Sequence, residues 1–450
     1  MPDTQERWTN ESVRRLAGSA DPVEAVTRQA RTAVVKALDR GWYGPPFDPL
    51  KLAQLMGIDV VGKESLRDAR TVADDSGRLR IEVNPNRPKT RLRYSVAHEL
   101  AHTLFPDCAT HVRNRAAYHE LTGDEWQLEA LCNIGAAEFL MPAGSFPELQ
   151  REDLTIQRAL DLRHIYGVSM EAFLIRAVRL SQDPVAMFCA SRIEVGSRQG
   201  TYRLDYMIGS DSWVSPLRPG AALPSTSAVA ECSAIGVTAK GSERWGREEA
   251  AIECVGVPPY PGSAWPRVVG IARAPDTAPR RQVLGITYLN GDALDPLTAG
   301  PAIIAHVVND ATANWGGRGF AQAVRERMPI VQDEFRQWVR LHKTLFRLGE
   351  SRSCRVSPGL WVFSMICQEG YGPSVTTRLR YGPLQACLIR LAEFALANEA
   401  TVHMPRIGAG LAGGSWPIIE ELIGQEVCSR GVSVTVYELI RRQSAQVASR

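Results

Sequence analysis

Apolar and polar positions along this chain change period several times, and each change marks an element. After a polar lead-in of about twenty residues, Asp21 and Pro22 supply an N-cap and a first-turn proline for a helix reaching about Asp39. Asp48 and Pro49 repeat that signal, Leu50, Leu52 and Leu55 give the apolar positions, and Gly57 stops the helix before an apolar strand at 58–61. Residues 62–77 are polar and read as a loop, whereas 78–84 alternate as an edge strand would. PNRPKTR then leads into a helical pattern around SVAHELAHTLFP, which Pro106 ends. LEALCNIGAAEFLMP fits a further helix with small residues along one side, and 154–180 reads as two helices, the first ended by Gly167 and the second capped by Ser169.

From 185 the pattern shortens to alternating strands at 186–193, 201–208 and 250–257, with Gly, Pro and Ser between them. Tyr202, Tyr206, Trp213 and Trp245 are expected in its core or rim. VPPYPGSAWP and ARAPDTAPRR read as a surface loop and a linker. Beyond Val283 strands and helices alternate: VLGITYL, AIIAHVVN, a helix near 320–328, LWVFSMI, a helix over 381–398, TVHMP and VSVTVYEL. That is the pattern of an α/β sandwich.

Composition narrows the picture. At 450 residues the chain exceeds one ordinary core, so two or three domains are expected. The net charge of +3, without a long basic run, argues against a general nucleic-acid binder. The polar start MPDTQERWTN and the lack of an apolar run of about 18 residues predict a soluble, cytoplasmic protein with no membrane span. Nine scattered cysteines without a C-x-x-C pair point to reduced thiols, not to a disulfide frame or a zinc ribbon.

The chemistry concentrates at His98, Glu99 and His102, an H-E-x-x-H on a helix. Histidines four apart share a face and can hold one divalent ion such as Zn2+, with Glu99 beside it as the base that moves protons during peptide hydrolysis. A metzincin would need Gly at 105 and His at 108; Phe105 and Cys108 stand there. Glu129 on the following helix is the candidate third ligand, and spacing alone leaves Glu120, Asp124, Glu125, Glu138, His111 and His119 open.

RLRYSVAHELAHTLFP followed by E-x-x-C-N-x-x-A-A-x-x-L-M-P at 129–142 resembles the ImmA/IrrE family of bacterial metallopeptidases. The resemblance covers roughly 20–180 and implies His98, His102 and Glu129 as zinc ligands and Glu99 as general base. Cys132 and Gly135 depart from the family's usual alanine and aromatic residue. The helical pair at 154–180 belongs to such a fold; DNA reading by a helix-turn-helix is the weaker alternative, with Arg176 and Arg179 expected in solvent.

Two Gly-rich turns follow strands in the C-terminal part, NDATANWGGRGFAQAV and PRIGAGLAGGSWPII, and each leads into a helix whose N-terminus can cradle phosphate. Together with Asp292 they resemble a macro domain over 283–440, in the class of terminal ADP-ribose glycohydrolases and the DarG antitoxins. The resemblance implies adenine recognition by Asp292, a first loop of Gly316, Gly317, Gly319 and Phe320 with Asn309 before it, and a second loop of Gly408, Ala409, Gly410 and Leu411. Gln368 and Ala412 occupy the positions of that class's catalytic Lys and Asp, which favours binding over that hydrolysis.

The expected fold is therefore multidomain: an α+β zincin-like domain at 20–183, a β-rich accessory domain at 184–272, a linker at 273–282 and an α/β three-layer macro domain at 283–441. The expected function is a zinc endopeptidase that cleaves a protein substrate, a repressor or other regulator, in a stress-response or defence role. ADP-ribose or an ADP-ribosylated macromolecule is its second expected partner. The alternative is an ADP-ribosyl hydrolase or reader with the zincin as scaffold.

Overall fold

A computed structural model describes residues 8–438 apart from 75, 111–112, 115–123, 146–153, 182, 195–198, 211, 214–216, 219, 246–247, 260–262, 274–284, 316–317, 373 and 375. His111, His119, Glu120, Gly316 and Gly317 thus lie outside the described residues. The chain divides into two compact units, residues 1–281 and 282–450.

The first unit opens with α1 (Glu11–Ala17), α2 (Pro22–Asp39), α3 (Pro49–Leu55), β1 (Asp59–Gly62), β2 (Ala69–Ala73), β3 (Leu79–Val83), α4 (Lys89–His102), β4 (Arg113–Asn114) and α5 (Glu125–Leu140). The capping signals act as expected: Asp21 accepts from the Val23 and Glu24 amides and Asp48 from Leu50. The strands form one sheet in the order β1-β3-β2-β4.

Two expectations fail here. The polar 62–77 stretch contains β2, and 78–84 is not an edge strand, because β3 runs between β1 and β2. One buried side chain accounts for both. Glu82 on β3 accepts from Arg70 at 2.8 Å, Lys63 at 3.0 Å and Arg80 at 3.0 Å, so a polar-looking pair of strands lies inside the sheet.

α4 and α5 pack through small residues. A Cβ on Gly135 would stand 2.8 Å from the Ala101 Cβ, so only glycine allows the two helices this approach.

α6 (Ile156–Tyr166) and α7 (Met170–Leu180) follow, Gly167 at φ 63° closing the first and Ser169 capping the second. α7 is buried through Met170, Phe173, Leu174 and Arg176. Arg176, expected in solvent, is 5% exposed and grips Glu138 of α5 through both carboxylate oxygens, at 2.8 and 2.7 Å. Arg31 of α2 adds a third bond at 3.1 Å, which removes Glu138 from the possible metal ligands. Arg179 is exposed as expected.

β5 (Val185–Arg192), β6 (Tyr202–Gly209), α8 (Ala228–Glu231), β7 (Thr238–Trp245), β8 (Glu248–Val257) and β9 (Arg267–Arg273) complete the unit. The five strands form an antiparallel sheet in the order β6-β5-β9-β8-β7. This β-rich part, expected as a domain of its own, shares a core with the helices: Val185, Met187, Cys189, Val255, Val269 and Ile271 belong to the same apolar cluster as Leu100, Leu131 and Phe173. Its other face has a separate core around Phe188, Leu204, Trp245 and Ile252.

The second unit contains β10 (Ile286–Asn290), β11 (Ala302–Asn309), α9 (Phe320–Arg327), α10 (Pro329–Leu341), β12 (Ser351–Ser357), β13 (Leu360–Gln368), α11 (Tyr381–Ala397), β14 (Thr401–Pro405), α12 (Trp416–Glu426) and β15 (Val434–Glu438). Its sheet runs β10-β15-β14-β11-β13-β12, parallel except for β12. α9 and α10 cover one face with Val324, Val331 and Phe335 over Ile304, Val308, Val362 and Ile366. α11 covers the other, where Phe394 meets Phe363. All parallel strands end at one edge, so Asn290, Glu438, Pro405, Asn309 and Gln368 stand at the C-terminal edge of the sheet, the side on which open α/β sheets take ligands. No helix among the described residues is long and apolar enough to cross a membrane.

Candidate functional site

α4 is fixed before its histidines begin. Arg91, in its first turn, makes a two-pronged ion pair with buried Asp68 at 2.6 and 2.7 Å, and Arg93 donates to the Phe47 carbonyl at 2.8 Å. One turn on, His98, Glu99 and His102 are all buried, at 1%, 0% and 1% exposure. α5 lies alongside and brings Glu129 to them. His98 Nε2 stands 3.0 Å from Glu129 Oε2, and His102 Nε2 stands 3.4 Å from Glu129 Oε1. These three donors form a group within 4.8 Å of one another. Glu125 and Asp124, at the start of the same helix, are not in it.

The spacing fits a metal ion. Ligand atoms about 2.1 Å from one ion in tetrahedral geometry stand about 3.4 Å apart. Where a ring carries its proton on Nδ1, its Nε2 is an acceptor facing a carboxylate that also only accepts, and a cation between them satisfies both. Two imidazoles and one carboxylate leave a further coordination position for substrate or water.

The surrounding bonds orient each group. Thr71 of β2 donates its hydroxyl to Glu99 Oε2 at 2.8 Å. His98 Nδ1 meets Asn133 Oδ1 at 2.9 Å, and His102 Nδ1 meets Cys132 Sγ at 3.3 Å. Nothing in the sequence points to Thr71, and its helical spacing put Cys132 and Asn133 on the side of the helix that approaches α4 without a bond to either histidine. Asn133 was legible in principle, since it follows Glu129 by one helical turn.

In the second unit the described residues expected at a ligand site stand at the C-terminal edge of the sheet or in the loops that follow it. Asp292 follows β10; its carboxylate accepts from the Leu294 amide at 3.0 Å and pairs with Arg327 at 2.8 Å. Gly319 at φ 76° caps α9, and a Cβ there would lie 3.6 Å from a Leu411 methyl, so the two loops approach one another. Leu411 is 70% exposed. Asn309 is buried and turned into its own loop, donating to the Trp315 carbonyl at 2.8 Å and accepting from the Ala311 and Thr312 amides. These bonds shape the first loop. Gln368 donates to the Gly370 carbonyl at 2.9 Å.

Residues 53–178 match the family model described as the IrrE N-terminal-like domain, Peptidase_M78. A macrodomain protein from Streptomyces coelicolor is 42% identical, covering 34% of this chain and 98% of that one, with a TM-score of 0.30. The chain joins an IrrE-like peptidase domain to a macrodomain.

A protein of unknown function from Bacteroides thetaiotaomicron is 36% identical over the same shares, with a TM-score of 0.33. Among curated proteins, Chromodomain-helicase-DNA-binding protein 1-like of Danio rerio is 26% identical over 170 residues, 36% of this chain. The chain spans only 16% of that relative and 18% of its Mus musculus counterpart. The macrodomain keeps its Gly-rich loops but has the amide of Gln368 and the methyl of Ala412 where the sequence reading expected a catalytic amine and acid.

Proposed function

We propose that this protein is a zinc-dependent endopeptidase that cleaves a regulatory protein, and that its macrodomain binds ADP-ribose or an ADP-ribosylated partner to regulate or target cleavage. The convergence of His98, His102 and Glu129, with Glu99 beside them on α4, carries this reading. Zinc suits two imidazoles and one carboxylate with an open position, and when bound it supplies Lewis acidity toward a carbonyl and lowers the pKa of a water.

The chain's own groups do the rest. His98 and His102 offer Nε2, and Glu129 offers its carboxylate. Glu99 takes the proton of the attacking water and hands it to the leaving amine. Its carboxylate is kept in place by the Thr71 hydroxyl. Burial of all three helix residues keeps bulk water from competing for these bonds.

For the macrodomain, binding is favoured over glycosidic hydrolysis of the Lys–Asp kind. An amide cannot form a Schiff base, and Ala412 carries no acid. Reading of DNA by α6 and α7 is disfavoured, because the second helix is packed on the β5–β9 sheet and its Glu171 is paired with Arg267.

The test has two arms. Metal analysis should find one zinc per chain, lost in His98→Ala and Glu129→Ala, while Glu99→Gln keeps zinc and loses cleavage. Calorimetric titration of the same preparation with ADP-ribose should show one site. Full proteolysis by Glu99→Gln would sink the peptidase reading.

A further inference from the structure

α5 does more than deliver Glu129. Its next residues of the same face, Cys132 and Asn133, each meet the Nδ1 of one histidine, so a single helical turn contacts both rings from behind. The two partners differ in kind. An amide oxygen only accepts, so Asn133 Oδ1 at 2.9 Å requires His98 to carry its proton on Nδ1, which leaves the Nε2 lone pair aimed at the point shared with Glu129. The same Oδ1 also accepts from the Tyr94 hydroxyl at 2.6 Å, which uses the oxygen's second lone pair and leaves it committed as an acceptor. A thiol is a weak donor and a weak acceptor at once. Cys132 Sγ, at 3.3 Å from His102 Nδ1, therefore supports either tautomer of His102.

We propose that Asn133 is the positioning residue that commits His98 to its metal-binding tautomer, and that Cys132 gives His102 only a weak counterpart. This rests on the peptidase reading and extends it to residues outside the ligand set. Asn133 is exposed on the open side of α5. Exchanging it therefore leaves the packed side of the helix intact, and alanine is the better helix former.

The experiment measures zinc affinity by competition with a chromophoric chelator, and the visible spectrum of the cobalt(II)-loaded protein, in the full chain and in Asn133→Ala, Asn133→Asp and Cys132→Ala. Asn133→Ala should bind zinc about 10- to 100-fold more weakly, the usual loss when a ligand's outer partner is removed. Asn133→Asp restores an acceptor and should bind within about threefold of the unchanged protein or tighter. Cys132→Ala should lose clearly less than Asn133→Ala. Wild-type affinity in Asn133→Ala overturns the inference. So does equal weakening in Asn133→Asp, which would show that the acceptor is not what matters. If the unchanged protein itself takes up no zinc, the peptidase reading fails first and the inference falls with it.

Discussion

Thr71 and Glu99 are joined twice: the hydroxyl of Thr71 lies 2.8 Å from Glu99 Oε2 and 3.2 Å from the Glu99 carbonyl oxygen. The strand next to α4 thereby fixes the carboxylate that moves protons in the proposed reaction. Thr71→Val keeps the shape and removes both bonds. Zinc content should stay unchanged, because Thr71 touches no ligand, while kcat falls about tenfold as the carboxylate loses its fixed position. Parallel metal analysis and turnover of a cleaved reporter peptide check it; loss of zinc in this variant would show that Thr71 supports the ligands instead.

The buried contact between Arg176 and Glu138 gives a stability prediction. Burial alone would raise the Glu138 carboxyl, but the charges of Arg176 and Arg31 outweigh it and hold it below the ordinary carboxylate range. A depressed folded pKa contributes stability that is complete above the unfolded value near 4.5 and is lost as pH falls below it. Arg176→Met leaves Glu138 with Arg31 alone and should cost about 3–5 kcal/mol in chemical denaturation at pH 7. Arg176→Met combined with Glu138→Leu should recover part of that loss, since the fully buried carboxylate is gone and only Arg31, which is partly exposed, loses its bond to Glu138.

His306 makes the macrodomain acid-sensitive for a different reason. It is fully enclosed between Trp315 and Phe320, its Nε2 bonded to the Ser364 hydroxyl at 2.8 Å, and burial lowers it from 6.5 to about 3. Between those values the unfolded chain binds a proton that the folded one refuses, so stability falls as pH drops through that window and is unaffected above it. His306→Gln cannot titrate. Whatever it costs at pH 7, the gap to the unchanged protein should narrow by pH 4.5 in denaturant melts, and an equal gap at both pH values would refute the assignment.

How much of this was legible depended on whether the signal was local. The caps at Asp21, Asp48 and Ser169 and the turn at Gly167 act within a few residues, and the sequence displays them. The H-E-x-x-H face is likewise local, four residues on one helix. Glu129 needed a second motif, because which acid faces the histidines is decided by how closely α5 approaches α4, and that is set by Gly135 against Ala101. Elements whose polar residues are satisfied at a distance were misread. β2 looks like a loop because Arg70 and Thr71 find their partners on Glu82 and Glu99, far along the chain. Arg176 looked solvated for the same reason. The 185–273 sheet gave no sign of sharing the peptidase core, since 186–193 reads as an alternating strand of a small β domain whereas β5 buries both of its faces, one in each core.

Two glycines of the macrodomain's second loop separate folding from ligand contact. Gly408 has φ 67°, and a Cβ there would sit 2.9 Å from both Leu379 methyls and 3.4 Å from Ile419. Gly408→Ala is therefore strained in the protein itself and should lower the melting temperature by several degrees, the usual response to a loss of about 1–2 kcal/mol. Gly410 has nothing within 4 Å of the same added carbon, so the space beside it is open. If that space is where the diphosphate of ADP-ribose approaches the backbone, Gly410→Ala should melt like the unchanged protein yet bind ADP-ribose about tenfold more weakly. Calorimetry and thermal melts on the two variants read the two effects separately. Unchanged affinity in Gly410→Ala would place the ligand elsewhere along the C-terminal edge of the sheet, away from the loop that made this domain recognisable.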